Sequence, residues 1–487
     1  MLFRSPAVVS LLRVVVTTSF GALSRSSTAT TATATTLAAS HQTARCKSTT
    51  TAAAAMGKKI FTLQKVCIVH RHGDRTPITP MVDEAFWAST LPNQSILEKM
   101  AEGTRLVRDD SNGSSTTFQH AASGIGPFGK LTQLGMMQMV ELGQRLREQL
   151  VVEDDKDEDD EHCLNEQDED GYYNNHALFS SSSTTTTTTR RLTPDNIKVT
   201  CTDFTRTILS VRALLVGLFP NNNSSNSNSS CVIDIDLRHT NIMIPDPEPR
   251  STKEQEILEV ASAQKPHVLE KEANMKHLAI RTTFALRDIL SKDANKIRFG
   301  VKEGGSSTTT TSSDNNATAA TATAPEVLPW AQLAEITKCL HVRNRLPPTI
   351  SIQDQRDIAA HAAWRWFQTL SEPRIAYLAM AGFVKKILTD MMETHTDVPL
   401  HVYSGHDSTL IGLLSVLRLE QPSTWPEYCS YLKIQVYKEQ EEGKLYLRFS
   451  LNGELLRTYW GVEGNDGDDG EPIRMLPMEE LRKGLDL

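Results

Sequence analysis

The run Val66-Cys67-Ile68-Val69-His70-Arg71-His72-Gly73-Asp74-Arg75-Thr76-Pro77 places two arginines around one histidine, directly after a short apolar stretch. A neutral imidazole can attack phosphorus. Flanking guanidiniums can hold phosphoryl oxygens bidentately and stabilise the charge that spreads over them in the transition state. Gly73 lets the backbone turn sharply and a substrate approach closely, and Pro77 helps end the loop. His72, Arg71 and Arg75 thus read as a nucleophile and its anion ligands, delivered by a strand. The plain alternative is a basic surface turn.

Two further stretches have the same form. Leu400-His401-Val402-Tyr403-Ser404-Gly405-His406-Asp407 is again an apolar strand followed by a turn and the start of a helix. Phosphoester cleavage needs a proton for the leaving alkoxide. A carboxylic acid beside an anionic substrate has a raised pKa and can supply it, which makes Asp407 the expected general acid. By itself Asp407 also suits a helix N-cap. The third stretch, Thr202-Asp203-Phe204-Thr205-Arg206-Thr207, follows a strand ending near Cys201 and opens a helix. In open α/β sheets ligands bind beyond the carboxyl ends of strands, and all three stretches sit at such ends.

Together these residues resemble the histidine acid phosphatases. Arg71-His72-Gly73-x-Arg75-x-Pro77 is similar to the family signature RHGxRxP, and His406-Asp407 to its HD element. Thr202-Asp203-x-x-Arg206-Thr207 is similar to its S-T-D-x-x-R-T stretch, with Cys201 where the family often has serine. The resemblance implies phosphate monoester hydrolysis. His72 would form a phosphohistidine, Asp407 would protonate the departing alcohol and then assist water, and Arg71, Arg75, Arg206 and His406 would hold the phosphate. It implies no cofactor and no metal, because the arginines supply the positive charge. Asp74 stands where it could orient His72 or Arg75, and His70 reads as structural. Leu131-Thr132-x-x-Gly135-x-x-Gln138 is also similar to a family helix pattern. Leu214 to Phe219 resembles the lysophosphatidic acid phosphatases, which are mitochondrial members.

The elements that must position these residues are legible from periodicity. Val66–Val69, Ile197–Thr202, Cys231–Leu237 and Leu400–Tyr403 read as strands, and Tyr431–Tyr437 with Leu445–Leu451 as an antiparallel hairpin, with a turn at Asn452-Gly453. Lys130–Leu150 reads as a helix capped by Thr132, with Met139, Leu142, Leu146 and Leu150 at helical spacing. Thr207–Phe219, Asp354–Leu370 and Arg374–Met392 follow as further helices, the last two separated by Pro373. Alternating strands and helices predict an α/β fold: a mixed central sheet with helices on both faces. From Asp246 to Thr349 no strand is evident, which predicts a smaller, mainly helical cap. The expected layout is a targeting or disordered segment at 1–57 and one phosphatase domain at 58–487. Its α/β core covers about 60–150, 190–245 and 395–460, the cap about 246–390, and disordered inserts about 151–190, 221–230 and 303–325.

Composition narrows the class. A formal net charge of −8 argues against a nucleic-acid binder with a broad basic face. None of the seven cysteines forms a CxxC pair, so neither a zinc ribbon nor a thioredoxin-like motif is suggested, and Cys67 and Cys201 fall inside expected strands as small hydrophobes, so no disulfide framework is expected. No run is long and apolar enough to span a bilayer. From Met1 to Gly73 there is no acidic residue, and arginines are scattered through Ser, Thr and Ala. That composition matches a mitochondrial transit peptide, with a plastid or secretory address as alternatives. The expected partner is a small-molecule phosphate monoester or lysophospholipid, and nothing in the sequence specifies an oligomeric state. Trp330, Trp364 and Trp366 are available for an acyl pocket, or simply for the core. A phytase-like inositol polyphosphate phosphatase would want extra lysines and arginines around the pocket. The first motif is followed instead by Ile78-Thr79-Pro80-Met81. The same fold could also serve a phosphoryl-transfer enzyme or a binding protein. The intact His72 and Asp407 count against the binding protein.

Overall fold

The computed structural model describes residues 59–108, 125–152, 165–167, 172–174, 178–180, 190–220, 232–238, 240–245, 253–291, 327–392, 398–460 and 472–486. The expected targeting segment, the acidic and Ser/Thr runs, and the Asn/Ser and Gly/Ser/Thr/Ala stretches lie wholly or mostly outside these residues.

The strands that build the sheet are β1 (Ile60–Arg71), β2 (Thr104–Arg108), β3 (Asn165–Gln167), β4 (Tyr172–Asn174), β5 (Ile197–Thr202), β6 (Ile233–Arg238), β7 (Leu400–Gly405), β8 (Tyr431–Glu439), β9 (Leu445–Leu451), β10 (Glu454–Leu456) and β11 (Met475–Pro477), which pairs with β9. The main path runs β10-β9-β8-β1-β7-β5-β6-β2. From β1 to β2 every neighbour pair is parallel, whereas β8, β9 and β10 add an antiparallel edge. In register, Arg71 lies opposite Gly405 and Ser404 opposite Cys201, so the carboxyl ends of three adjacent parallel strands coincide.

The helices used below are α1 (Gln133–Leu150), α2 (Thr205–Leu218), α3 (Lys253–Ala263), α4 (Pro266–Leu286), α5 (Trp330–Val342), α6 (Ile352–Leu370), α7 (Pro373–Met392) and α8 (Asp407–Val416). Thr132 caps α1 by accepting the Gly135 N–H at 3.1 Å, and Pro373 sits at the first position of α7, where its missing N–H costs nothing. Along β1 successive side chains leave on opposite faces. Val66 and Ile68 join the core against α1 and α2, whereas Cys67 and Val69 join the core against α7 and α8. Both faces of the central strands are therefore dry. Among the described residues, no helix is long and apolar enough to cross a membrane.

Two boundaries differ from the sequence reading. The expected cap ran to about 390, yet Ile375, Phe383, Val384 and Ile387 of α7 pack on the sheet face with Tyr403 and Leu414. Helix α6 straddles the boundary. Ile358 and Ala362 belong to the cap core, and Ala363, Phe367 and Leu370 to the sheet core. The cap core consists of α4, α5 and the start of α6, closed by Met81, Trp87 and Phe128 from the connection after β1. Amphipathic spacing says that a helix buries one face, but not against what. The range 151–190, read as an unstructured insert, contains β3 and β4. Tyr172 and Tyr173 of β4 pair with Ile60 and Phe61. β7 reaches only Val66 on that side of the longer β1, which leaves Ile60–Thr62 with backbone groups to satisfy.

Candidate active site

The three strand ends bring the predicted residues together. Arg71 closes β1 and His72 follows it. His406 and Asp407 follow β7, and Arg206 lies in the first turn of α2, just after β5. Arg71, His72, Arg75, Arg206, His406 and Asp407 all line one cavity of about 240 Å³ under the cap. His72 is only 2% exposed. The loop is held flat against the start of α1: a Cβ on Gly73 would stand 2.2 Å from the Gly135 carbonyl oxygen, and one on Gly135 would stand 2.0 Å from that of Asp74. Both glycines are therefore required by backbone proximity, which accounts for Gly135 in the helix pattern.

His72 is a neutral imidazole of defined tautomer. Its Nδ1 lies 2.8 Å from the Gly73 carbonyl, an acceptor only, so Nδ1 carries the proton and Nε2 keeps its lone pair. Burial pushes its pKa well below the ordinary histidine range, and the charges of Arg206, Arg71 and Arg75 push it further down.

The three arginines are restrained by groups that line the same cavity, and Arg206 also by Phe204. Arg71 donates Nη1 to the Pro426 carbonyl, pairs Nη2 with Asp407 Oδ2 at 2.8 Å, and lies 4.3 Å over the Tyr428 ring. Arg75 pairs Nη1 with Glu335 Oε1 at 2.7 Å. Arg206 lies 4.5 Å over the Phe204 ring, with Nη2 3.4 Å from His406 Nδ1. In all three, the buried Nε has no hydrogen-bond partner among the described residues. Burial, with Arg75 and Arg71 close by, pushes Arg206 down to about 9 although Asp407 opposes them. Crowded cations with donors to spare form a site for an anion.

Two sequence expectations change here. A raised pKa was expected for Asp407. Burial does raise it, but Arg71, the Trp425 indole N–H donated to Oδ2 at 2.8 Å, and the further charges of Arg75 and His406 outweigh burial and hold the carboxyl at about 2. The expectation concerned a carboxyl beside a substrate anion. Here its neighbours are cations. His406, expected to meet a phosphate directly, has both ring nitrogens engaged: Nε2 lies 3.1 Å from the Thr202 hydroxyl and Nδ1 faces Arg206. Burial and Arg206 keep it neutral, with a pKa well below 6.5. The Asp74 carboxylate is turned to partners other than His72 and Arg75. It accepts from the Thr132 hydroxyl at 2.5 Å and from Arg343 Nη2 at 2.6 Å, tying the loop to α1 and to the end of α5. His70 is buried and its Nδ1 lies 3.1 Å from the Arg71 carbonyl.

Sequence reasoning missed the partners. Trp425, Pro426 and Tyr428 form one segment before β8 that grips Asp407 and Arg71, and Glu335 reaches Arg75 from the cap. A tryptophan beside Pro-Glu-Tyr carries no motif. Glu335 gave no signal either, because the stretch Trp330–Leu340 also carries Gln332, Thr337 and Lys338. Of the three tryptophans considered for a pocket, only Trp366 lines the cavity, edge-on to Trp425, while Trp330 is buried and donates to Glu272.

Counting factor 60 of Dictyostelium discoideum is 23% identical over 408 residues, covering 81% of this chain and 80% of that protein. Lysophosphatidic acid phosphatase type 6 of Mus musculus is 22% identical over 413 residues, covering 82% and 80%. Among solved structures, the phytase from Citrobacter braakii superposes with a TM-score of 0.51 over 87% of this chain and 97% of that one, at 14% identity, a likeness of fold. The model of the histidine phosphatase superfamily (branch 2) matches residues 62–452, from β1 through the hairpin, and the chain belongs to that family.

Proposed function

We propose that the protein is a phosphomonoesterase that works through a phosphohistidine at His72. The observation that carries this reading is the His72 ring. Its Nδ1–H is committed to the Gly73 carbonyl and its Nε2 is free to attack, amid three guanidiniums whose Nε groups are buried without partners. The arginines take the phosphoryl oxygens. Nε2 attacks phosphorus in line, the N–P bond forms, the ester P–O bond breaks, and Asp407 gives its proton to the leaving alkoxide. A water then attacks phosphorus and passes a proton back to Asp407. The N–P bond breaks, and inorganic phosphate departs. His406 supports this cycle by holding Arg206, and it meets the phosphate directly only by exchanging one of its present contacts.

The proton has a source although Asp407 is ionised in the free site. A monoester has a second pKa of about 6, so below it the substrate arrives carrying a proton. As the phosphate draws Arg71 away from Asp407, the carboxyl becomes the better base and collects it. This couples activity to acid pH without any metal in the cycle.

The alcohol is proposed to be apolar and singly phosphorylated, as in lysophosphatidate. Beyond the arginines the cavity wall includes the apolar Ile78, Ile244, Ala331, Ala334, Ala359, Trp366 and Trp425, with Gln355, Ser408 and Tyr428 as uncharged polar members. Among the described lining residues the one further cation, Lys338, is paired with Glu427 at 2.5 Å. An inositol polyphosphate would meet the carboxylates of Glu335 and Glu427 there, with that lysine already paired. The name of the mouse relative supports the lipid reading. The test is phosphate release from lysophosphatidate, an aryl phosphate and inositol hexakisphosphate, from acid to neutral pH with a chelator present. The expected order is lysophosphatidate first and inositol hexakisphosphate last. The reverse order would overturn the substrate assignment. A mitochondrial address is proposed from the acid-free, arginine-spaced N-terminus. Residues 1–57 fused to a fluorescent protein should reach mitochondria, and a secreted or plastid reporter would contradict this.

A further inference from the structure

Helix α5 meets the phosphate loop through two ion pairs of opposite polarity. Glu335, Cys339 and Arg343 recur at four-residue spacing and so share one face. Arg343 of the cap pairs with Asp74 of the loop, whereas Glu335 of the cap pairs with Arg75 of the loop. The two pairs are not equivalent. Asp74 and Arg343 stand away from the cavity and suffice to tie cap to loop. Glu335 lines the cavity. Its carboxylate also accepts the Ile78 backbone N–H at 2.6 Å and is fixed in place by that bond. A buried negative charge, rigidly held against one of the three phosphate-binding cations, is a costly feature for a site that binds anions if anchoring were its only purpose.

We propose that Glu335 is a positioning residue that balances the charge of Arg75, and so keeps the hold on phosphate weak enough for inorganic phosphate to leave. The proposal rests on the phosphomonoesterase reading. Glu335 engages Arg75 through Nη1, leaves the buried Nε without a partner among the described residues, and cancels much of the guanidinium's field. The site then holds one phosphoryl group in the loose transition state better than it holds the product. The same carboxylate repels a second phosphate on the substrate.

The E335Q variant separates charge from anchoring. An amide oxygen still accepts from Arg75 and from Ile78 N–H, so anchoring alone predicts unchanged or weaker binding. Charge balance predicts that calorimetric titration of the full chain with inorganic phosphate gives a dissociation constant lower by on the order of tenfold or more, as expected for removing one unit charge from the wall of a partly buried anion site. Turnover of an aryl phosphate should show KM falling and kcat falling with it as product release slows. Unchanged or weaker phosphate binding by E335Q overturns the proposal. A double-mutant cycle guards against a misfolded variant. R75Q should lose phosphate binding by leaving Glu335 uncompensated, and R75Q/E335Q should regain part of it, while absence of any recovery contradicts charge balance. These titrations need no turnover. If the wild type binds phosphate yet hydrolyses no ester, the phosphomonoesterase reading fails and the Glu335 comparison still reads out.

Discussion

Trp425→Phe isolates the control of the proposed general acid. The indole Nε1–H donates to Asp407 Oδ2 at 2.8 Å, and Phe keeps an aromatic ring beside Trp366 while removing the donor. A hydrogen bond to a charged group contributes about 1.5–3 kcal/mol. It acts only on the carboxylate, and 1.36 kcal/mol corresponds to one pKa unit, so its loss should raise the Asp407 pKa by about 1–2 units. In the free protein that moves the carboxyl from about 2 toward ordinary aspartate values. In the substrate complex the same donor is lost from a carboxyl already raised by the phosphate. Asp407 donates its proton, so activity falls as pH rises through its pKa in the complex, and the variant's descending limb must lie at higher pH. The assay is kcat against pH on an alkyl phosphate, whose poor leaving group makes protonation matter. An aryl phosphate with a good leaving group serves as the insensitive comparison. The expected result is an upward displacement of the alkyl limb by about 1–2 units. A limb that stays put, or moves down, refutes the assignment of Asp407 as acid and Trp425 as its regulator.

Other outcomes follow from the same contacts. Asp74→Ala leaves Arg343 buried without its carboxylate, a break that costs about 3 kcal/mol or more; thermal denaturation should show an apparent Tm lowered by several degrees. An unchanged Tm would mean that the pair does not brace the loop. Stability should also fall with acid. Burial lowers His70 and His401 to about 4, and lowers His72 and His406 well below 6.5. Between pH about 6.5 and 4 the unfolded chain therefore takes up protons that the folded chain refuses. Each such imidazole contributes stability that is lost as pH falls, at up to about 1.4 kcal/mol per pH unit. Calorimetric Tm values that stay flat or rise from neutral pH to pH 5 would contradict this.

The residues that meet the phosphate site were legible because each follows a strand, and parallel strands in register bring their ends together without further information. Thr132 as a cap and the Val66–Val69 run were legible for the same local reason. What surrounds the site was not. Glu335 and Trp425 are joined to Arg75 and Asp407 only by tertiary packing, and the ion-pair partner of Asp74 proved to be Arg343, 269 residues away. Their effect is large: Trp425 and Arg71 reverse the expected direction of the Asp407 shift. The cap boundary escaped in the same way. The apolar face of α7 is as evident in sequence as that of α4, yet one covers the sheet and the other the cap core. The pairing of β4 with the start of β1 escaped because its strand is short and follows an acidic, polar run that suggested no order.

The central claim is a covalent bond to one nitrogen. The full chain should be mixed with an aryl phosphate, denatured within the turnover time, digested at alkaline pH to preserve phosphoramidates, and examined by mass spectrometry. The account predicts one phosphoryl group on the peptide that contains His72, localised to that residue and absent from a His72→Ala variant that releases no phosphate. Phosphate release with the phosphoryl group on another residue, or turnover surviving in the variant, would contradict it.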